Sequence, residues 1–216
     1  MKDLIIGSIP LLTAFITGII FWNQLTPTWL KLVPWFLFLV FTIQIIGYLY
    51  SDIFKKSNHF IFNCYIFIES NFYFFIFYNA INKQKLKKII QFIILFYILL
   101  YIYKIFVLNH FFIYSSLMAN VGDFFVLCCG FIYLTELLLT DMWVNYFTIP
   151  MFWITVGVLI SAVGNFLYLA FLNYIIQSKL DPEGKIYGVI MTTISVVEYS
   201  LFTVAFLPKK IWTKTK

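Results

Sequence analysis

Seven long apolar runs constrain this chain more than any other feature of its sequence. Each run has 19 to 30 residues with few or no charges, and about 20 apolar residues are enough for a helix to cross a bilayer. The runs are too long and unbroken for strands, and they lack the alternation of a membrane barrel. The sequence therefore predicts an all-α integral membrane protein, a bundle of seven transmembrane helices at about 4–22, 32–50, 59–80, 89–108, 111–140, 150–176 and 186–207.

The composition excludes a soluble protein. Apolar residues make up 62% of the 216 residues and charged residues 11%, whereas soluble domains carry about 25% charged residues. The connections between the runs are short, so we expect no soluble domain and one transmembrane domain over residues 1–216. The fifth run, at about 30 residues, is longer than the bilayer requires and should tilt or protrude.

The positive charge of the chain comes entirely from lysine. There are 15 lysines and no arginine, with a net charge of +6. A nucleic-acid reader would be expected to use arginine, so no nucleic-acid partner is predicted. With seven spans, nine lysines lie on one side and six on the other. The positive-inside rule then places the N-terminus outside and the C-terminus in the cytoplasm, and the expected location is a bacterial inner membrane.

Two pairs of spans share features that indicate an internal repeat. Pro34 and Gly47 are 13 residues apart, and Pro150 and Gly164 are 14 apart. The third and seventh spans also each carry one glutamate near the middle. A repeat would arrange the spans as three, a linker and three, as in transporters with parallel repeats. This layout resembles that of small sugar transporters, opsins and receptor-like seven-helix proteins, although no family signature accompanies it.

Three carboxylates near the middle of their spans are the sharpest functional signal: Glu69, Asp123 and Glu198. An ionisable side chain at mid-depth costs about 2.5–3.5 kcal/mol, so these residues should face a shared interior. No basic residue lies at that depth, because Lys104 is near a span end and can extend to the interface. The carboxyls should therefore be protonated, neutralised by hydrogen bonds, or bound to a proton, Na⁺ or an amine.

Helical spacing places further polar residues beside these acids, since residues three or four apart share a face. Interhelical hydrogen bonds, worth about 0.6 kcal/mol each on average, account for serine, asparagine and tyrosine but account poorly for three acids. The predicted intramembrane polar core consists of Glu69, Asp123, Glu198, Asn120, Asn165, Tyr65, Tyr73, Ser116, Ser161, Ser195 and Gln44.

Several kinds of chemistry find no support in the sequence. His59 and His110 lie at span ends without metal-ligand spacing, and the last span has no lysine for a retinal Schiff base. Phosphate-binding glycine loops and nucleophile elbows are absent. We therefore expect no metal site, no cofactor and no catalytic residue.

Three functions remain open. The favoured one is a non-enzymatic sensor or accessory subunit, whose acidic core binds a ligand or partner and whose state passes to another protein. The alternative is a small proton- or cation-coupled transporter. The third is an intramembrane lipid-acting enzyme that uses Glu69 and Asp123 as a carboxylate pair, which would need to lie about 5–10 Å apart. The expected partners are the lipid bilayer, a membrane or cytoplasmic protein, and a small ligand or cation.

Overall fold

The computed structural model describes residues 2–107, 112–139, 145–178 and 185–208, and these ranges contain helices but no strand. Six helices are long and apolar enough to cross a membrane, which confirms the predicted helical membrane bundle. In the first helix, the described apolar part is the shorter stretch Ser8–Ile20. The seven α-helices are α1 (Lys2–Ile20), α2 (Leu32–Phe54), α3 (His59–Ala80), α4 (Gln84–Ile102), α5 (Ser116–Leu138), α6 (Pro150–Gln177) and α7 (Lys185–Phe206).

The helix ends lie within two residues of the predicted spans except at α2, which ends four residues later at Phe54, and at α4 and α5. Helix α4 begins at Gln84, five residues before the predicted span. Its first turns therefore include lysines, whose long side chains can reach the interface from inside a helix. Helix α5 has 23 residues, so the described part of the fifth apolar run is only partly helical. Hydrogen bonds to α3 account for the non-helical residues just before Ser116.

The start of α5 is fixed by hydrogen bonds to Asn63 of α3. The Asn63 amide donates to the Ile113 carbonyl at 2.9 Å, and its oxygen accepts from the Ser115 backbone N–H at 3.0 Å. The Ser115 hydroxyl then accepts from the Met118 N–H at 3.3 Å, as an N-cap does. These bonds hold residues 113–115 outside the helix, and α5 begins only at Ser116.

The chain divides into two compact units, and the single transmembrane domain expected from the sequence stays a prediction. Unit 1 comprises residues 1–38 and 137–216, and unit 2 comprises residues 39–136. In unit 1, α7 packs against both α1 and α6. The predicted core residues are divided between the units.

Glycines allow close helix packing in unit 1. A Cβ at Gly157 of α6 would meet the Phe202 ring at 3.1 Å and the Glu198 carbonyl of α7 at 3.2 Å. Gly164 of α6 lies similarly against the Ile194 side chain of α7. Small residues at helix contacts of this kind are typical of membrane bundles, where close packing replaces the hydrophobic drive.

Aromatic rings and two polar clamps hold the helices of unit 2 together. Helices α3 and α4 are joined by three residues, and the Phe67 ring of α3 lies 4.6 Å from the Tyr101 ring of α4. The Tyr101 hydroxyl donates to the Asn63 carbonyl at 2.6 Å. At the other end of α4, the Glu136 carboxylate of α5 accepts from backbone N–H groups. These contacts fix α3, α4 and α5 around one polar cluster.

Candidate polar site in helices α3, α4 and α5

The centre of the candidate site is the close approach of three helices at Gly122 of α5. Next to its Cα lie the Ser70 hydroxyl of α3 and the Tyr97 hydroxyl of α4, and a Cβ at this position would be 3.2 Å from the Tyr97 oxygen and closer still to that of Ser70. Glycine is needed here because any side chain would displace these hydroxyls. Because Gly122 has no side chain, the hydroxyl groups of Ser70 and Tyr97 meet at one point between three membrane-spanning helices.

Tyr97 is the most unusual residue of this cluster. It has no exposed surface, and its ring is stacked on Phe67 and packed edge-on against Phe74 at 5.5 Å between ring centres. The Ser70 hydroxyl is its polar neighbour, although this contact falls short of the geometry of a well-formed hydrogen bond. Buried polar groups nearly always have a partner, so this oxygen requires an explanation.

Two carboxyl groups act on the tyrosine electrostatically. The Tyr97 hydroxyl interacts electrostatically with Glu69 and Asp123, which adjoin Ser70 and Gly122 in the sequence. Glu69 accepts a hydrogen bond from Tyr65 at 2.6 Å, one turn earlier in α3. The bond from Tyr65 to Glu69 agrees with their spacing of four residues on one helix face, and two of the three predicted acids interact electrostatically with one buried hydroxyl.

Basic residues are remote from the cluster along the chain. Helices α3 and α5 contain no lysine. Lys88 of α4 lies nine residues before Tyr97, and Lys104, two residues beyond the end of α4, lies seven residues after it. These separations correspond to about 13 Å and 10 Å along a helix axis. The cluster is thus acidic and rich in hydroxyl groups, and its nearest positive charges on α4 lie toward the helix ends.

The other predicted residues of unit 2 lie on the same helices. Tyr73 is buried on α3, and Gln44 is half-buried on α2. Ser116 and Asn120 are half-buried on the face of α5 that carries Asp123. The side-chain oxygen of Asn120 on α5 is also buried, and it makes no hydrogen bond.

The third predicted acid lies in unit 1. Glu198 of α7 is 5% exposed, and its turn packs against Gly157 of α6. Ser195 precedes it by one turn on α7, and Ser161 and Asn165 of α6 are half-buried. The shared interior of all three acids stays a prediction, because Glu198 belongs to unit 1 whereas Glu69 and Asp123 belong to unit 2.

Two structurally central polar residues were not predicted from the sequence. Glu136 is 7% exposed and bonds the N–H groups of Asn82 and Lys83 at 2.7–3.2 Å. Asn63 is 2% exposed and engages both of its amide atoms. Each is a polar residue within an apolar run, and that interruption is the sequence signal that could have identified it. Their partners are backbone groups, which carry no sequence signature.

No group of three histidine, cysteine or acidic residues able to hold a metal occurs within the described ranges. Comparison with known proteins adds no further assignment: no family model, curated protein or solved structure matches this chain. The candidate site therefore depends on its own geometry.

Proposed function

We propose that this chain is a non-enzymatic membrane sensor or accessory subunit whose polar cluster in α3, α4 and α5 binds a small cation, either a proton or an alkali-metal ion. The observation that carries the proposal is the fully buried Tyr97 hydroxyl, whose contact with the Ser70 hydroxyl falls short of a well-formed hydrogen bond and which interacts electrostatically with Glu69 and Asp123. An unsatisfied buried polar group costs about 1–3 kcal/mol. A ligand that interacts with this oxygen recovers that free energy.

The chemistry of the cluster favours a cation over an anion. Carboxylate and hydroxyl oxygens are the ligands that hard cations prefer. The surroundings are apolar rings, so electrostatic attraction is stronger there than in water. A cation also neutralises acidic side chains that are expensive at membrane depth.

A role as a sensor is supported by the way α4 and α5 contact each other at two levels. Near Tyr97 the helices meet at Gly122, and fourteen residues further along α5 the Glu136 carboxylate holds the backbone before α4. That separation is about 21 Å along a helix. A ligand that changes the spacing of α4 and α5 at the cluster thereby moves the lysine-rich turn at the end of α4.

The proposal is tested by the thermal stability of the full chain in detergent, from about pH 4 to 9 around the ordinary carboxyl pKa, with NaCl or choline chloride. Binding to the folded state alone raises Tm. We expect a pH- or Na⁺-dependent shift that Glu69→Gln and Asp123→Asn remove. Asp52→Asn, which changes an exposed acid paired with Lys55, should keep it. A shift of equal size in all four proteins, or none in the wild type, contradicts the proposal.

A flux measurement separates a sensor from a transporter. The full chain is reconstituted in vesicles, and Na⁺ and proton movement across the membrane are followed under an imposed gradient. A sensor binds the cation without accelerating net flux. Flux that depends on Glu69 would overturn the sensor assignment and establish the transport alternative.

A further inference from the structure

The turn between α3 and α4 carries a cluster of lysines that internal contacts leave available. Lys83, Lys85 and Lys88 are exposed and make no ion pair within the described ranges. Lys87 differs, because its ammonium lies 5.1 Å from the centre of the Tyr78 ring. Gln91 donates to the Tyr78 hydroxyl at 3.2 Å and so helps to hold that ring in place.

The neighbouring acid does not neutralise this cluster at the surface. Glu136 is buried, and its carboxylate accepts from the backbone N–H groups of Asn82 and Lys83. Its charge is thus directed at the backbone of the turn. By contrast, Lys55 at the α2–α3 turn is bonded to Asp52 at 2.9 Å. The two lysine-bearing turns of unit 2 therefore differ in the charge that they present.

The depth of the cluster identifies the kind of partner. Both α3 and α4 are long and apolar enough to cross a membrane, and only three residues join them. From Lys83 to Lys88 the helix rises about 7–8 Å, which is similar to the thickness of one head-group layer, about 5–8 Å. With α3 and α4 spanning the bilayer, so short a rise keeps the lysines of this turn within reach of the lipid phosphates.

We propose that the lysine turn, residues 82–88, binds the phosphate head group of an anionic phospholipid through Lys83, Lys85 and Lys88. Lysine clusters at the end of a membrane-spanning helix attract anionic lipid. This site is separate from the acidic cluster of α3, α4 and α5 and does not depend on the function proposed for it.

The test measures lipid retention by the full chain. Native mass spectrometry compares phosphatidylglycerol with phosphatidylcholine of the same acyl chains, for the wild type, Lys85→Gln/Lys88→Gln and the matched control Lys55→Gln/Lys56→Gln. We expect the wild type to retain phosphatidylglycerol preferentially. The first double variant should lose about tenfold of that retention, since each lysine adds attraction, while the control keeps it. Lys85→Arg/Lys88→Arg should also keep it, which separates loss of charge from loss of folding.

Three results would overturn the proposal. Equal retention of the two lipids by the wild type would remove the preference for an anionic head group. Equal losses in the two double variants would show a general charge effect rather than a site. Competition of free inorganic phosphate or a soluble acidic peptide as effective as that of the lipid would assign the lysines to a soluble ligand.

Discussion

At the scale of single residues, two tyrosines one turn apart on α4 have opposite environments. Tyr101 donates to the Asn63 carbonyl at 2.6 Å, whereas the fully buried Tyr97 has only the poorly formed contact with Ser70. Aromatic side chains pack around both tyrosines, so the two residues differ mainly in the hydrogen bonding of their hydroxyl groups. This pair lets an experiment separate the hydroxyl of the candidate site from an ordinary structural hydroxyl.

Removal of the two hydroxyls should therefore change stability in opposite senses. Tyr101→Phe leaves a buried carbonyl with one bond fewer and should lower the free energy of unfolding by about 0.5–1.5 kcal/mol. Tyr97→Phe removes an unsatisfied group, so in the absence of ligand it should leave stability unchanged or raise it by about 1 kcal/mol. Thermal unfolding in choline-containing buffer measures both effects. A larger loss in Tyr97→Phe than in Tyr101→Phe would contradict this account.

Residue-level prediction from sequence succeeded where one helix holds both partners. The bond between Tyr65 and Glu69 follows from their spacing of four residues, because that spacing aligns side chains on any α-helix. The isolation of Tyr97 was not predictable, because it depends on the positions of Ser70 and Gly122 on two other helices. Those positions are set by packing, which a single sequence does not state.

At the scale of elements, α5 is fixed at both ends by polar contacts with its neighbours. Asn63 of α3 holds the residues before its first turn, and Glu136 near its last turn holds the backbone before α4. The continuous apolar run predicted one long span, yet its described part contains the non-helical residues 113–115 followed by helix α5. The helix boundary depends on a distant asparagine, which periodicity alone does not reveal.

Glu136 should contribute strongly to the stability of unit 2. In Glu136→Gln the charge is lost, and an amide NH₂ that cannot accept a hydrogen bond replaces one of the two oxygens that face the N–H groups. We therefore expect the free energy of unfolding to fall by about 1–3 kcal/mol. Asp52→Asn is the control, because an exposed ion pair contributes little. Hydrogen exchange should show faster opening around residues 82–86 in Glu136→Gln. Unchanged Tm and exchange in this variant would show that the clamp is dispensable.

At the scale of the whole molecule, hydropathy predicted the class of fold because the bilayer demands long apolar helices. The grouping into units was not predicted, since unit 1 combines both ends of the chain. These units do not follow the consecutive halves that a repeat would give, and the repeat stays a prediction. The sidedness of the membrane also stays a prediction, because lysine placement indicates it only statistically.

The distribution of acids over the molecule determines where function is to be sought. Glu69 and Asp123 belong to unit 2, and Glu198 belongs to unit 1. In unit 2, both central acids interact electrostatically with the buried Tyr97 hydroxyl. We therefore infer that the cation binds at the Tyr97 cluster and not simply at any buried acidic side chain.

The most direct test is the cation-induced change in Tm of the full chain for wild type, Tyr97→Phe and Tyr101→Phe. Each is measured in NaCl and in choline chloride at equal ionic strength, across the pH range of carboxyl titration. Stabilisation by a bound ligand scales with its affinity, so Tyr97→Phe should lose most of the shift, while Tyr101→Phe should start from a lower Tm and retain it. An equal shift in both variants and the wild type would contradict binding at Tyr97.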